Sequence, residues 1–89
     1  EQASITNVQF SGTNVVTLTV SNSGANDVTI TTATVNGAAV ASTNATMIIP
    51  KNTGLNTIVL TSAWDAGSTY QIKLVSSKGT SFPYSAVAQ

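Results

Sequence analysis

The chain has no cysteine and no histidine among its 89 residues. Without cysteine it can form no disulfide, thiolate metal site or thiol nucleophile, and without histidine it lacks the commonest general base and metal ligand. Three lysines oppose three carboxylates, so the formal net charge is zero, and charged residues make up only 7% of the chain. Because this balance offers no basic surface to a phosphate backbone, we expect no nucleic-acid partner.

Long apolar runs are also absent. No stretch of about 18 apolar residues occurs, so we expect no direct membrane insertion by this segment. Hydroxyl and amide side chains are abundant instead, with 15 threonines, 11 serines and 8 asparagines. This composition is typical of secreted and cell-surface β-proteins and predicts an extracellular location. The chain opens at Glu1 without a methionine, which predicts a trimmed product that was anchored at the cell surface through a preceding N-terminal segment.

Apolar and polar residues alternate over short stretches, and turn residues interrupt these stretches every eight to twelve positions or so. In the clearest stretch, Val16, Leu18 and Val20 share one parity while hydroxyl residues occupy the positions between them. No segment of about ten residues shows helical periodicity. The pattern therefore predicts one all-β domain over residues 1–89, an antiparallel β-sandwich of seven or eight strands.

Four local signals refine this prediction. The inward parity changes after Ile30, which predicts a β-bulge at residues 31–32. Asn36 and Gly37 both tolerate positive φ and predict a two-residue type I′ hairpin. Residues 47–49 predict a short edge strand, and Pro83, which cannot donate a ladder hydrogen bond, predicts a free edge on the last strand.

The segment from residue 64 to residue 74 resembles fibronectin type III and related immunoglobulin-like domains. A large apolar residue, a glycine and a tyrosine stand there as Trp64, Gly67 and Tyr70, although Ala66 replaces the usual proline. The resemblance implies an immunoglobulin-like sandwich with a tyrosine corner, in which the Tyr70 ring enters the core and its hydroxyl bonds to backbone upstream. It also implies that Trp64 plugs the core.

A second resemblance extends from about Ile5 to Ala86. Residues 20–24 (VSNSG), followed by residues 28–30 (VTI) and residues 35–37 (VNG), look like the β-sandwich modules of archaeal surface proteins. These modules occur in pilins, archaellum accessory proteins and cell-wall proteins. The resemblance implies the soluble head of a type IV pilin-like protein, which would form a filament or dock on the cell-wall (S-layer) lattice.

Catalytic and cofactor chemistry finds little support. The 11 serines have no histidine to activate them. Lys78 follows Ser76 and Ser77 and could form a Ser-Lys catalytic pair, but it falls in a predicted turn, where these residue types are common. We therefore expect neither an enzyme nor a cofactor. We expect no metal site either, since Asn26 and Asp27 lie at the opposite end from Asp65 if there are seven strands. An additional strand at Met47 would bring these oxygen ligands to the same end.

Asn44 begins the sequon Asn-Ala-Thr and is the candidate glycosylation site. It falls in a weakly patterned stretch where we expect a loop.

Two functions from different classes follow. The first is a non-catalytic extracellular structural or interaction module, whose partner is another copy or a cell-wall protein. The second is a carbohydrate-binding or adhesive accessory domain of a secreted protein, for which an exposed Trp64 would form a sugar platform. The chain has only five aromatic residues, and four of them are assigned to the core or the corner, which favours the first function.

Two outward valines mark the candidate partner-binding surface. If Tyr70 and Phe82 face the core, period-two geometry turns Val75 and Val87 outward, together with Pro83, on two neighbouring strands. Scattered exposed valines are common in strands, so this parity also has a purely structural interpretation. The functional interpretation is a small contact patch beside the free edge of the last strand.

Overall fold

A computed structural model of the chain describes residues 2–42 and 47–88. Over these ranges the backbone forms β-strands and no helix, and hence no helix long and apolar enough to cross a membrane. The nine strands, in chain order, are β1 (Ala3–Ser11), β2 (Val15–Asn22), β3 (Val28–Val35), β4 (Ala38–Ala39), β5 (Ala41–Ser42), β6 (Ile48–Ile49), β7 (Thr53–Thr61), β8 (Thr69–Ser76) and β9 (Ser81–Val87).

The strands form two antiparallel sheets packed face to face. The first sheet has the order β1-β2-β7-β5, and the second has the order β4-β3-β8-β9 with the short β6 also paired to β3. The predicted all-β antiparallel sandwich is therefore confirmed. The order is compatible with the immunoglobulin-like arrangement, in which strands A, B, E and D face strands C, F and G.

The core lies between the sheets and follows from the alternating pattern. Val16, Leu18 and Val20 of β2 are buried and face the second sheet, whereas the alternate residues of β2 are half-exposed. On β8, Tyr70, Ile72 and Leu74 are buried in the same alternating way. Burying these side chains removes apolar surface from water, which contributes about 25 cal/mol per Å².

Three strand pairs contain a register shift, namely β3 with β8, β1 with β2, and β2 with β7, and the last of these was not predicted. The register of β3 against β8 shifts between Ile30 and Thr32, where the bulge was predicted. A second shift, between Ile5 and Asn7 of β1, was not predicted. It allows Ile5 before the shift and Phe10 after it to face the same core, although they occupy odd and even positions.

The strand count differs from the prediction of seven or eight because residues 38–42 divide between the sheets. Ala38 pairs with Val35 in the second sheet, whereas Ala41 pairs with Thr61 in the first. The turn before this segment is the predicted one: Asn36 and Gly37 have φ of 51° and 84° and join β3 to β4. The segment at Ile48 is also a strand, as predicted.

The two ends of the sandwich carry different connections. Val15 pairs with Thr61 at one end of the first sheet and Asn22 pairs with Thr53 near the other. We call the first the corner end, formed by residues 12–14, 36–37 and 62–68, and the second the loop end, formed by residues 23–27, 50–52 and 77–80. The molecule measures 37 × 21 × 21 Å.

Candidate interaction surfaces

Tyr70 occupies the corner end at the start of β8. Its side chain is buried, at 8% exposure, and its ring lies 5.4 Å from that of Phe10 between centroids. Its hydroxyl accepts a 2.6 Å hydrogen bond from the main-chain N–H of Asp65, five residues upstream. This combination of an inward ring and a hydroxyl bonded to upstream backbone is the geometry of a tyrosine corner.

Trp64 packs against the edge of the core and is half-buried. Its ring lies 5.5 Å from that of Phe10, and its Nε1–H donates to the main-chain oxygen of Ser11 at 3.0 Å. The indole therefore has one aromatic neighbour and a bonded polar edge within the chain, while part of its surface stays exposed. Trp64 is neither the fully buried plug that the resemblance implies nor a free platform for a sugar ring.

Gly67 ties the turn before β8 to the end of β9. Its φ is +88°, a left-handed conformation that a side chain would strain. Its N–H donates to the Ala88 carbonyl at 2.7 Å, and the Ala88 N–H donates to the Ser68 carbonyl at 2.9 Å. These bonds fix residues 65–68, whose side chains are all exposed, as a rigid turn.

The predicted partner-binding residues do not form one patch. Val75 of β8 is half-buried and pairs with Ser81, the first residue of β9. Val87, the last residue of β9, pairs with Thr69 at the start of β8 and is 49% exposed. Six residue positions, or about 20 Å of extended strand, separate the two valines along the sheet. Pro83 is exposed between them. The predicted outward parity is correct, but the register prevents a contiguous apolar surface.

β9 lies at an edge of the second sheet, as predicted from Pro83. The backbones of Thr80 and Ala88, which flank β9, form hydrogen bonds with residues on the β8 side. The backbone N–H and C=O groups of the even-numbered residues of β9 therefore point toward β8, and those of the odd-numbered residues point away from it. Pro83 therefore falls where an outward N–H would be. Its ring interrupts the row of donors that strand addition by a partner would use.

A shallow depression of about 250 Å³ lies beside Pro83 on the outer face of the second sheet. It includes Lys73, which pairs with Pro83, and Gln71, whose side-chain amide donates to Ser85 Oγ at 3.1 Å. The other lining residues are Thr34, Gly37 and Ile72.

The loop end is organised around Asn22, which the sequence marked only as part of the VSNSG stretch at residues 20–24. Its side chain is 1% exposed, yet each of its polar atoms has a partner. Nδ2 donates to the carbonyls of Asn26 at 2.9 Å and Ile49 at 3.0 Å, and Oδ1 accepts from the Gly24 N–H at 2.9 Å. One buried amide thus holds the β2–β3 loop and the segment before β7 together.

The other two loops at this end are held in a similar way. Ser76 is 2% exposed, and its hydroxyl accepts from the N–H groups of Lys78 at 3.3 Å and Thr80 at 3.2 Å. Asp27 Oδ1 accepts from the Lys51 N–H at 2.9 Å, which joins the first loop to the turn before β7. The structure therefore presents three rigid loops side by side.

Two polar depressions flank Gly24 and Ala25 at the loop end. One, of about 580 Å³, is also lined by Ser23, Lys51 and Asn52, and the other, of about 290 Å³, by Gln2, Asn26 and Lys78. Each depression thus combines one lysine with amide and small side chains.

Two large apolar residues are exposed outside the predicted surface. Leu55 of β7 is 86% exposed and Ile48 of β6 is 45% exposed. The alternating pattern of β7 indicates that Leu55 faces outward, because Ile58 and Leu60 are buried at even positions and Leu55 occupies an odd one.

The residues considered for a cation or for catalysis stay apart. Asp27 belongs to the loop end and Asp65 to the corner end, and residues 2–42 and 47–88 contain no group of three acidic, histidine or cysteine side chains that could hold a metal ion. Ser76 uses its hydroxyl to hold the β8–β9 loop. The candidate glycosylation site Asn44 lies outside the described residues.

No family model matches the chain, and no curated protein is significantly similar to it.

Proposed function

We propose that this chain is a non-catalytic interaction module of an extracellular surface protein. In its finer form, the proposal is that the chain is the soluble head of a pilin-like archaeal protein, which forms a filament or docks on the cell-wall layer. The fold supports the general form, and the resemblance of residues 20–24, 28–30 and 35–37 supports the finer one. Partners would be other copies of the chain or cell-wall proteins.

The observation that carries the proposal is the loop end. Three loops from three different strand connections stand together, held by the buried Asn22 and Ser76. A surface that is rigid before binding loses little conformational entropy when a partner docks. Loops displayed on a rigid sheet scaffold are also where binding residues concentrate.

The aromatic residues favour a protein partner over a neutral sugar. All five lie in the described ranges, where Tyr70 and Phe82 are buried and Phe10, Trp64 and Tyr84 are half-buried. Trp64 has its ring on Phe10 and its Nε1–H on Ser11. A flat sugar ring stacks on an accessible aromatic face, and each of the five rings has at least part of its surface covered within the chain.

The test is to measure self-association of the 89-residue chain by sedimentation and its co-sedimentation with isolated archaeal cell-wall layer. We expect one of the two at micromolar to millimolar concentration. Val87→Lys and Val75→Lys probe the outer face of the second sheet, and exchanging residues 23–26 for a Gly-Ser linker probes the loop end. If neither self-association nor cell-wall binding occurs, and the chain instead binds soluble oligosaccharides, the carbohydrate-binding alternative replaces the proposal.

A further inference from the structure

Charged side chains are distributed unevenly along the long axis of the molecule. Lys51, Lys78 and Asp27 belong to the loop end, and Asp65 belongs to the corner end. Along the 37 Å between the ends, the only charged side chain in the described strands is Lys73 on the second sheet. The sides of the sandwich therefore contribute almost nothing to electrostatic steering, and charge can act mainly at the ends.

The loop end carries two of the three lysines of the chain, Lys51 and Lys78. Neither lysine ammonium forms a salt bridge with the described carboxylates, and Asp27 uses Oδ1 to accept the Lys51 main-chain N–H. Lys78 lies at the second depression, away from that contact. Gly24, which both depressions share, packs closely enough that an added Cβ would lie 3.2 Å from Asn22 Oδ1.

The corner end presents a negative charge on a narrow turn. Residues 65–68 are all exposed, and the turn is held by the bonds from Asp65 N–H to Tyr70 and from Gly67 N–H to Ala88. Asp65 takes part only through its main-chain N–H, and its carboxylate has no hydrogen bond within the described part of the chain. Ala66, Gly67 and Ser68 are small, so the turn can enter a shallow depression without a bulky neighbour.

We propose that the loop end receives the Asp65 turn of a second copy of this chain, so that molecules associate head to tail. The Asp65 carboxylate would sit between Lys51 and Lys78 of the neighbour, against the small residues Gly24 and Ala25. This inference rests on the proposed interaction function and specifies its partner and its contact. Because the two surfaces lie at opposite ends, each molecule keeps one of them free after pairing, and the association extends into a line.

A contact of this kind has a defined physical signature. Exposed charges attract weakly in water and are screened within about 8 Å at physiological ionic strength. Head-to-tail association should therefore be weak for a single pair of copies, salt-sensitive and strengthened when the chain is held at high local concentration. Sedimentation velocity of the chain, from about 0.1 to 2 mM in about 20 mM and about 500 mM salt, should show association that falls at least roughly threefold in the higher salt.

Charge reversal at either end provides the sharper test. Lys78→Glu and Asp65→Lys should each weaken association at least roughly fivefold in low salt, because each places like charges in contact. Mixing the two variants should restore association, because the loop end of Asp65→Lys and the corner end of Lys78→Glu are both unchanged and together re-form the original contact. The matched control is Lys73→Glu, which makes the same change in net charge as Lys78→Glu but on the second sheet, and should leave association within about twofold of the original.

Three results would overturn the head-to-tail contact. They are a monomeric chain over the whole concentration range, equal weakening by Lys73→Glu and Lys78→Glu, and no recovery in the mixture. These results can be told apart from failure of the proposed function. If self-association persists in all charge variants, or if the chain is monomeric but binds the cell-wall layer, the head-to-tail contact is wrong and an interaction function remains.

Discussion

The two ends of the sandwich are both rigid, but different side chains hold them. At the loop end a buried amide, Asn22, and a buried hydroxyl, Ser76, bind the loops through directional hydrogen bonds. At the corner end the rings of Trp64 and Tyr70 each pack against that of Phe10, and hydrogen bonds are added at the polar edges of Trp64 and Tyr70. The loop end is thus defined mainly by polar geometry, and the corner end mainly by apolar volume.

This difference predicts different sensitivities. A buried polar group that loses its partner costs about 1–3 kcal/mol, because it cannot exchange the lost bond for one to water. The cost of truncating an aromatic ring rises with the apolar surface that the ring buried and with the size of the cavity that remains. Changes that preserve volume but remove polar atoms should therefore harm the loop end most, and changes in ring size should harm the corner end most.

The largest effect is expected at Asn22. Asn22→Ala removes both donors and the acceptor, and leaves the Ile49 carbonyl and the Gly24 N–H without their partner. We expect the free energy of unfolding to fall by about 3 kcal/mol, measured by urea denaturation. The matched control is Asn7→Ala on the exposed face of β1, which should change stability by less than about 0.5 kcal/mol. Similar values for both variants would contradict the polar definition of the loop end.

The second effect concerns ring volume at the corner end. Trp64→Ala removes the packing on Phe10 and the bond to Ser11, and we expect a loss of about 2–3 kcal/mol, because the half-buried site leaves an open cleft and not a closed cavity. Trp64→Phe keeps a ring in place and should cost about 1 kcal/mol. Thermal unfolding measures both. A near-neutral Trp64→Ala would show that the indole is not part of the packing and would favour the sugar platform again.

The alternating strands were largely predictable from sequence, whereas only one of their three register shifts was. Val16, Leu18 and Val20 define a face by parity alone, and Asn36 with Gly37 define a turn by the φ values they tolerate. The β1 bulge was not predicted, because Val8 and Phe10, at even positions, fit an unbroken strand. The signal that was missed is Ile5, a large apolar residue at an odd position earlier in the same strand. Local pattern is sufficient where the period is unbroken.

The candidate sites were less predictable, because they depend on contacts distant in sequence. The bond from Asn22 to Ile49 spans 27 residues, and no local pattern marks Asn22 as different from the other asparagines. The outward parity of Val75 and Val87 was correct, but only the β8–β9 register shows that they lie at opposite ends of the strand. Parity gives the face of a residue, and register gives its neighbours.

A smaller effect separates the hydroxyl of Tyr70 from its ring. Tyr70→Phe keeps the packing on Phe10 and removes the acceptor for the Asp65 N–H, which is part-buried. We expect a loss of about 1 kcal/mol in chemical denaturation, with faster amide exchange at Asp65. Tyr84→Phe is the control, because the Tyr84 hydroxyl has no hydrogen bond within the described residues, and it should be nearly neutral. Equal costs for the two variants would mean that the corner hydrogen bond adds nothing to stability.

The smallest effect is expected from acid. Acid unfolding arises mostly when carboxylates that are bonded in the native state become protonated. The chain has only three carboxylates and no histidine, and in the described structure the one carboxylate hydrogen bond is that of Asp27 to the Lys51 N–H, on the surface of the loop end. A protonated carboxyl is a weaker acceptor than a carboxylate, and an exposed bond contributes little. We therefore expect the free energy of unfolding to change by less than about 1 kcal/mol between about pH 7 and pH 3.

Two neutral variants test this expectation at the two aspartates. Asp27→Asn keeps an oxygen that can accept the Lys51 N–H, and Asp65→Asn changes a carboxylate that has no hydrogen bond among the described residues. Each variant should therefore leave the free energy of unfolding within about 0.5 kcal/mol of the original at about pH 7 and at about pH 3. The readouts are thermal melts at both pH values and amide exchange of the Lys51 N–H. A steep fall in melting temperature between them that either variant abolishes would show that the carboxylate contributes more to stability than one exposed hydrogen bond.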